Sequence, residues 1–249
     1  MQVGSMHHRL SPAGGNPQGP ARAPGHLVYE ALYSAILERR LAPATRLSKD
    51  TLGRIFRVSS GTVQRALTRL AEEGAVDLSP NQVAAVARPT ERHARELLEA
   101  RLLIEAQVIR LVSGRLDAER LDELRGLVRC QRDCLARGDH AGLILAANRF
   151  HLRLAEHADN PWLPNFLAKL LRRAALAISL SRGRAYDEGT CVEHEALIEA
   201  LAAGEGERAC LLMDRHLNGL FARLRFMPPP TEDLRAAFQG RLPVHRGRR

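Results

Sequence analysis

Between Leu47 and Val76 the apolar positions fall into two short helical stripes separated by a turn. Leu52, Ile55 and Phe56 mark the first face; Val63, Ala66, Leu67 and Leu70 mark the second at i, i+3, i+4 and i+7 spacing. Ser59 stands where its side chain can accept from a free amide of a helix beginning at Ser60. After Gly74 the period drops to two, with Val76 and Leu78, a turn at Ser79-Pro80-Asn81, and a second strand from Val83 to Val86. A leading helix carrying Val28, Leu32, Ala35 and Ile36 precedes the pair. The pattern predicts a helix-turn-helix with a small β-hairpin wing over residues 26–88.

From Thr90 onward the spacing is helical throughout. Segments 90–113, 117–137, 139–158, 162–182, 189–203 and 206–226 are separated by Ser113-Gly114, Gly138-Asp139, Asp159-Asn160-Pro161, Gly183 and Gly204-Glu205-Gly206. Six helices on short connections predict an antiparallel bundle. Arg88-Pro89-Thr90 reads as the linker, because the residue before a proline is pushed out of the helical region. Residues 1–25, rich in Gly, Pro, Ala and Arg, read as a disordered arm, and residues 227–249, opening on Pro228-Pro229-Pro230, as a loose tail. The fold class is mainly α: an N-terminal winged helix-turn-helix, then an all-α bundle over 90–226.

Composition narrows the function. The chain has 249 residues, 45% of them hydrophobic, and a formal charge of +9, which favours a polyanionic partner. Lys occurs only at Lys49 and Lys169 while Arg is abundant, so part of that excess reflects compositional bias. No apolar run is long enough to span a membrane, and the first residues lack the apolar core of a signal peptide; a cytoplasmic setting is expected. Cys130 and Cys134 stand four residues apart, but no second pair has ligand spacing, so all four cysteines read as reduced thiols.

The polar face of the second helix carries residues that donate to phosphates or base edges. The candidates for double-stranded DNA are Lys49, Arg54, Arg57, Ser59, Ser60, Thr62, Gln64, Arg65 and Arg69. Most are phosphate ligands by type. Gln64 pairs bidentately with adenine, a preference worth about 1–3 kcal/mol per base.

Three histidines lie on apolar faces of the bundle. His151 shares its face with Ala147 and Leu154, His194 with Leu197 and Ile198, and His216 with Met213 and Leu220. His194 lies ten residues before Gly204 and His216 ten after Gly206, so in an antiparallel hairpin both sit roughly 15 Å from the turn. A single histidine on such a face is ordinarily a hydrogen-bonded core residue. Three together are costly to desolvate without a common partner, which makes a divalent ion of the zinc or nickel kind the expected cofactor. Arg101, on a face with Leu97, Leu98, Ile104 and Val108, offers a planar fork to a carboxylate or forms an internal salt bridge to Glu105.

At these residues the chain resembles the GntR superfamily of bacterial transcription regulators. The winged helix is similar from about His26 to Pro89, through LAPATRLS, VSSGTVQRAL and RLAEEGAV; the bundle resembles the FCD domain of the FadR-like branch, through LLEARLLIEAQVIRLVS, RFHLRLAEHADNPWL and EHEALIEALAAGEGERACLLMDRHL. The resemblance implies a homodimer on a two-fold operator, a small carboxylate effector, and a divalent metal held by His151, His194 and His216 with an acidic residue one turn before His151. Here that position is Ala147, with Asn148 beside it, and Arg101 and Asn148 become the candidates to meet the effector. The chain departs from the family also at Ser60 and Gln64, where arginines are usual, at Asp50, and in a wing without the usual Arg-Gly turn. The competing reading is a metal-dependent hydrolase using the three histidines, against which no carboxylate is expected beside a histidine to act as a base.

Overall fold

The computed structural model describes residues 24–78, 83–181 and 185–226. The arm over 1–23, the wing turn at Ser79-Pro80-Asn81, Gly183 and the tail from 227 onward lie outside these residues. Three helices come first: α1 (Pro24–Leu37), α2 (Lys49–Phe56) and α3 (Ser60–Glu72). Strands β1 (Val76–Asp77) and β2 (Ala85–Val86) pair antiparallel, with Val76 opposite Val86 and Asp77 opposite Ala85. Thr45 and Leu47 add a third edge: Val86 N–H donates to Thr45 O at 2.9 Å and Leu47 N–H to Ala84 O at 2.7 Å.

The bundle follows as α4 (Glu91–Val112), α5 (Ala118–Ala136), α6 (His140–Glu156), α7 (Trp162–Leu180), α8 (Glu188–Ala202) and α9 (Gly206–Ala222). Five of these helices fall within their predicted segments and α8 begins one residue before its own, at Glu188, while α1 begins at Pro24, two residues before the expected boundary. The ends are set by local chemistry. Ser48, Ser59, Thr90, Asp117, Asp139 and Asp187 each accept from an amide of the first turn, satisfying one of its orphan donors. At the other end, Gly138 and Gly204 take φ of 67° and 72°, a left-handed conformation that closes α5 and α8 without a Cβ penalty.

One expected core position is wrong. Ile55 is 66% exposed, whereas Leu52 is buried and Phe56 partly so. With only eight residues, α2 has one turn of contact with α3, and Leu52 fills it.

The core divides into two clusters, and the division does not follow the domain boundary. One lies inside the bundle, around Ile109, Leu124, Phe150, Leu154, Leu197 and Leu217. The other runs from the winged helix into the bundle, joining Tyr29, Ile36 and Leu67 to Leu143, Leu176 and Ile178. Polar contacts reinforce the junction: Ser179 Oγ–H lies 2.8 Å from Leu37 O and 3.0 Å from Ile36 O, and Arg39 Nε–H donates to Ser179 O at 2.8 Å. A shared core predicts shared unfolding. Leu176→Ala should cost about 2–5 kcal/mol, and calorimetry should show a single transition in the wild type and the variant; separate transitions for winged helix and bundle would contradict it.

Candidate nucleic-acid interface and buried histidine centre

The outer face of the helix-turn-helix is built from α2, the turn at Val58 and the N-terminal half of α3. Ser59 Oγ accepts from Thr62 N–H at 3.3 Å, which fixes the start of α3 and keeps its first amides facing outward. Lys49, Arg54, Arg57, Ser60 and Arg65 are exposed. Arg57 closes α2 in a left-handed turn with φ of 54°. Gln64 Nε2–H donates to Thr68 Oγ1 at 3.3 Å, so reading a base requires that contact to open. Ser60 Oγ lies 3.5 Å from Asp50, which shields part of the unfavourable carboxylate.

Arg69, also expected as a DNA ligand, is exposed but has partners within the protein. Its guanidinium lies over the Tyr29 ring at 3.8 Å and 3.7 Å from Glu73 Oε1, contacts within the protein that compete with a phosphate. Glu73 sits one turn further along the same helix face, and the buried Tyr29 ring on α1 supplies the surface beneath.

Inside the bundle the three histidines converge as expected. His194 Nε2 is 3.2 Å from His216 Nε2, which is 3.3 Å from His151 Nε2. All three rings are buried, and His194 stacks on Phe150 with centroids 4.2 Å apart. The opposite edge of each ring meets an acceptor. His216 Nδ1–H donates to Glu193 Oε2 at 2.7 Å, His151 Nδ1 is in direct contact with Glu105 Oε2, and His194 Nδ1 lies 2.8 Å from Gln131 Oε1. The Glu105 contact is off the line of a good hydrogen bond, and neither atom has a better partner among the described residues.

These outer contacts decide where the protons sit. A carboxylate accepts only, so His151 and His216 each hold a proton on Nδ1 and turn their Nε2 atoms toward one another. Two bare lone pairs 3.3 Å apart would repel, so either a proton or a metal cation is shared between them. Nitrogens held tetrahedrally at about 2.0–2.1 Å from one ion stand roughly 3.3 Å from each other, which the two separations to His216 match. The electrostatics agree: burial pushes His151 down to about 4, and burial together with His216 holds His194 well below the ordinary imidazole range, so both are neutral ligands.

The first of the effector candidates, Arg101, is buried at 2% exposure, and its Nε–H donates to Glu105 Oε1 at 2.7 Å. Of its two readings the internal salt bridge is formed, and Nη2 has no partner among the described residues. Burial works against the Glu105 carboxylate, but Arg101 and His151 together hold it well below the usual range. Asn148 is placed elsewhere. Its amide donates to Leu171 O at 3.0 Å, and it borders a cleft of about 640 Å³ between α1, α6 and α7 instead of the histidines.

Sequence reasoning missed Glu105, Gln131 and Glu193 as partners of the histidines, and the expectation of no carboxylate beside a histidine is corrected by two of them. Gln131 carried a signal: it continues the buried stripe Leu121, Leu124, Val128, where a polar residue must find a partner. Glu193 carried none, since it adjoins His194 in sequence but serves His216 on the next helix.

Comparison with known proteins settles the family. The family model described as bacterial regulatory proteins, gntR family, matches residues 25–86, and the FCD domain model matches residues 96–219. The chain belongs to the GntR family. It is 26% identical over 223 residues to the HTH-type transcriptional repressor NanR of Cronobacter sakazakii, covering 79% of this chain and 83% of that one. An uncharacterised HTH-type regulator from an unstable DNA locus of Streptomyces ambofaciens is 27% identical over 222 residues, covering 88% and 92%. Among solved structures, E. coli McbR/YncC shares the fold with a TM-score of 0.67 at 21% identity, covering 81% of this chain and 97% of that one. A GntR regulator from Rhodococcus sp. RHA1 gives a TM-score of 0.69 at 24% identity, covering 80% and 95%. The families and the curated relatives are transcription regulators and not enzymes, which sets the hydrolase reading aside.

The GntR frame and the contacts above separate the arginines of α3. Arg65→Ala should weaken DNA binding and lower the slope of log K against log salt by about one, while Arg69→Ala should leave that slope unchanged; equal losses of slope would return Arg69 to the interface. In a second measurement, nitrogen-15 shifts of His216 should show the Nδ1–H tautomer, and Glu193→Leu should release it.

Proposed function

We propose that this GntR-family DNA-binding regulator uses its bundle as a sensor, in which a divalent ion at His151, His194 and His216 holds a small carboxylate effector. The observation that carries the reading is the pairing of every Nδ1 with an acceptor, which turns three Nε2 atoms inward at ligand spacing. Such outer contacts orient ligating imidazoles and raise their basicity. Three neutral ligands without the acidic residue, its place taken by the buried Ala147, leave the ion's charge undiminished. A bound divalent ion supplies open coordination positions and Lewis acidity toward the carboxylate. The remaining Nη2 of Arg101 supports a second contact to it or to a water beside it.

The regulator is proposed to act as a homodimer on a two-fold operator. One winged helix makes few base contacts, and a dimer doubles them and ties half-site spacing to its symmetry. Trp162 and Phe166, both exposed and one turn apart on α7, are apolar area of the kind a second copy covers. No helix among the described residues is long and apolar enough to cross a membrane, which is consistent with action in the cytoplasm.

Refolding with zinc or nickel followed by elemental analysis should find about one ion per chain in the wild type and a loss of more than about tenfold in affinity for His194→Ala. Equal metal content in the two proteins removes the metal. Sedimentation at micromolar concentration should find a dimer, and a monomer both with and without DNA would overturn that part. Selection from a random DNA library should enrich a site with adenine where Gln64 reaches, and Gln64→Arg should move the preference to guanine; identical sites would show that Gln64 is not a reader.

A further inference from the structure

Helix α7 has two working faces. On the inner side, Ala174, Ala177 and Ile178 border the small cavity into which Arg101 projects. Arg101 is in turn held by Glu105, and Glu105 touches His151, so α7 stands two contacts from the histidine centre. The Tyr186 hydroxyl, in the segment just after α7, also faces Arg101 from a fully buried position.

On the outer side the same helix holds the winged helix at two places. At the end of α3, Arg172 donates to Glu73 Oε2 at 3.4 Å and to the Tyr29 hydroxyl, which itself donates to Glu73 at 2.7 Å. The Arg172 guanidinium also lies 4.5 Å from the Tyr33 ring centroid, and Arg173 donates to the carbonyl of Glu72. At the end of α1, Ser179 donates to the Ile36 and Leu37 carbonyls while Arg39 donates back to Ser179 O at 2.8 Å and Ser181 O at 3.1 Å. The clamps engage the last turns of the two helices that pack against each other in the winged helix, and the apolar core is continuous between them.

We propose that α7 is the coupling element of this regulator, and that Arg172 and Ser179 are the residues through which a change at Arg101 reorients the recognition helix. A packed interface of this kind shifts as a unit instead of deforming, so a displacement of α7 is passed to α3 without loss in a flexible linker. The proposal rests on the sensor reading for its trigger, but the clamps themselves are independent of what binds.

The test uses the full chain, zinc as the probe and a DNA site enriched from a library. In the wild type, saturating zinc should change operator affinity by about fivefold or more, and should alter amide exchange at residues 36–41 and 70–74. In Arg172→Gln/Ser179→Ala, zinc should bind with unchanged affinity while the operator response falls below about twofold. A double variant that keeps the wild-type response overturns the proposal, as does zinc that binds the wild type and alters neither operator affinity nor those amides. If the wild type binds no zinc, the sensor reading falls by itself, and Tyr186→Phe then decides the coupling: faster exchange at 36–41 and 70–74 supports it, and changes confined to α4 and the segment around residue 186 overturn it.

Discussion

An ionised carboxylate withdrawn from water inside a helical bundle has to be met on each of its oxygens, and Glu105 is the residue on which the rest of this bundle is arranged. One oxygen takes Arg101 from the preceding turn of α4, the other takes His151 from α6. Removing either partner leaves a buried charge uncompensated, at a cost of about 3–5 kcal/mol. The arrangement also dictates the tautomer of His151, and through it the direction of the lone pair that faces His216. A structural ion pair thus defines the chemistry of the histidine centre at its back.

The GntR winged helix obeys the same economy on its own scale. The eight-residue α2 buries little apolar area, so it depends on its serine cap at Ser48 and on packing against α3, which is itself capped by Ser59 and packed on α1. In the first half of α3, Arg65 is exposed and bonded to the neighbouring Thr62 hydroxyl, whereas Arg69 at its far end lies over Tyr29 and beside Glu73.

Periodicity made the helices, their order and the inward direction of His151, His194 and His216 legible, because each depends on residues close in sequence. The equal distance of His194 and His216 from the Gly204 turn even placed two of the rings side by side, and their Nε2 atoms are 3.2 Å apart. What periodicity could not supply was which side chain of one helix meets which of another. Glu193 serving His216, Arg172 reaching Glu73 and Tyr29, and Asn148 turning to Leu171 are contacts between elements far apart in the chain. Ile55 failed for a related reason: the apolar spacing was right, but a helix of eight residues has too little neighbouring surface to cover it.

The core that runs from α1 into α7 bears on how such a protein can change over evolutionary time. A winged helix joined only by a tether can be exchanged for another as a cassette, leaving the partner domain undisturbed. Here the Ile36 and Leu37 carbonyls are completed by a serine some 140 residues away, and Leu176 is buried in a core it shares with the winged helix. Transplanting residues 24–86 to a foreign bundle would leave unsatisfied carbonyls on one fragment and bare apolar surface on the other. The heritable module is therefore the winged helix together with α7, and recombination within this lineage is expected to respect that larger unit.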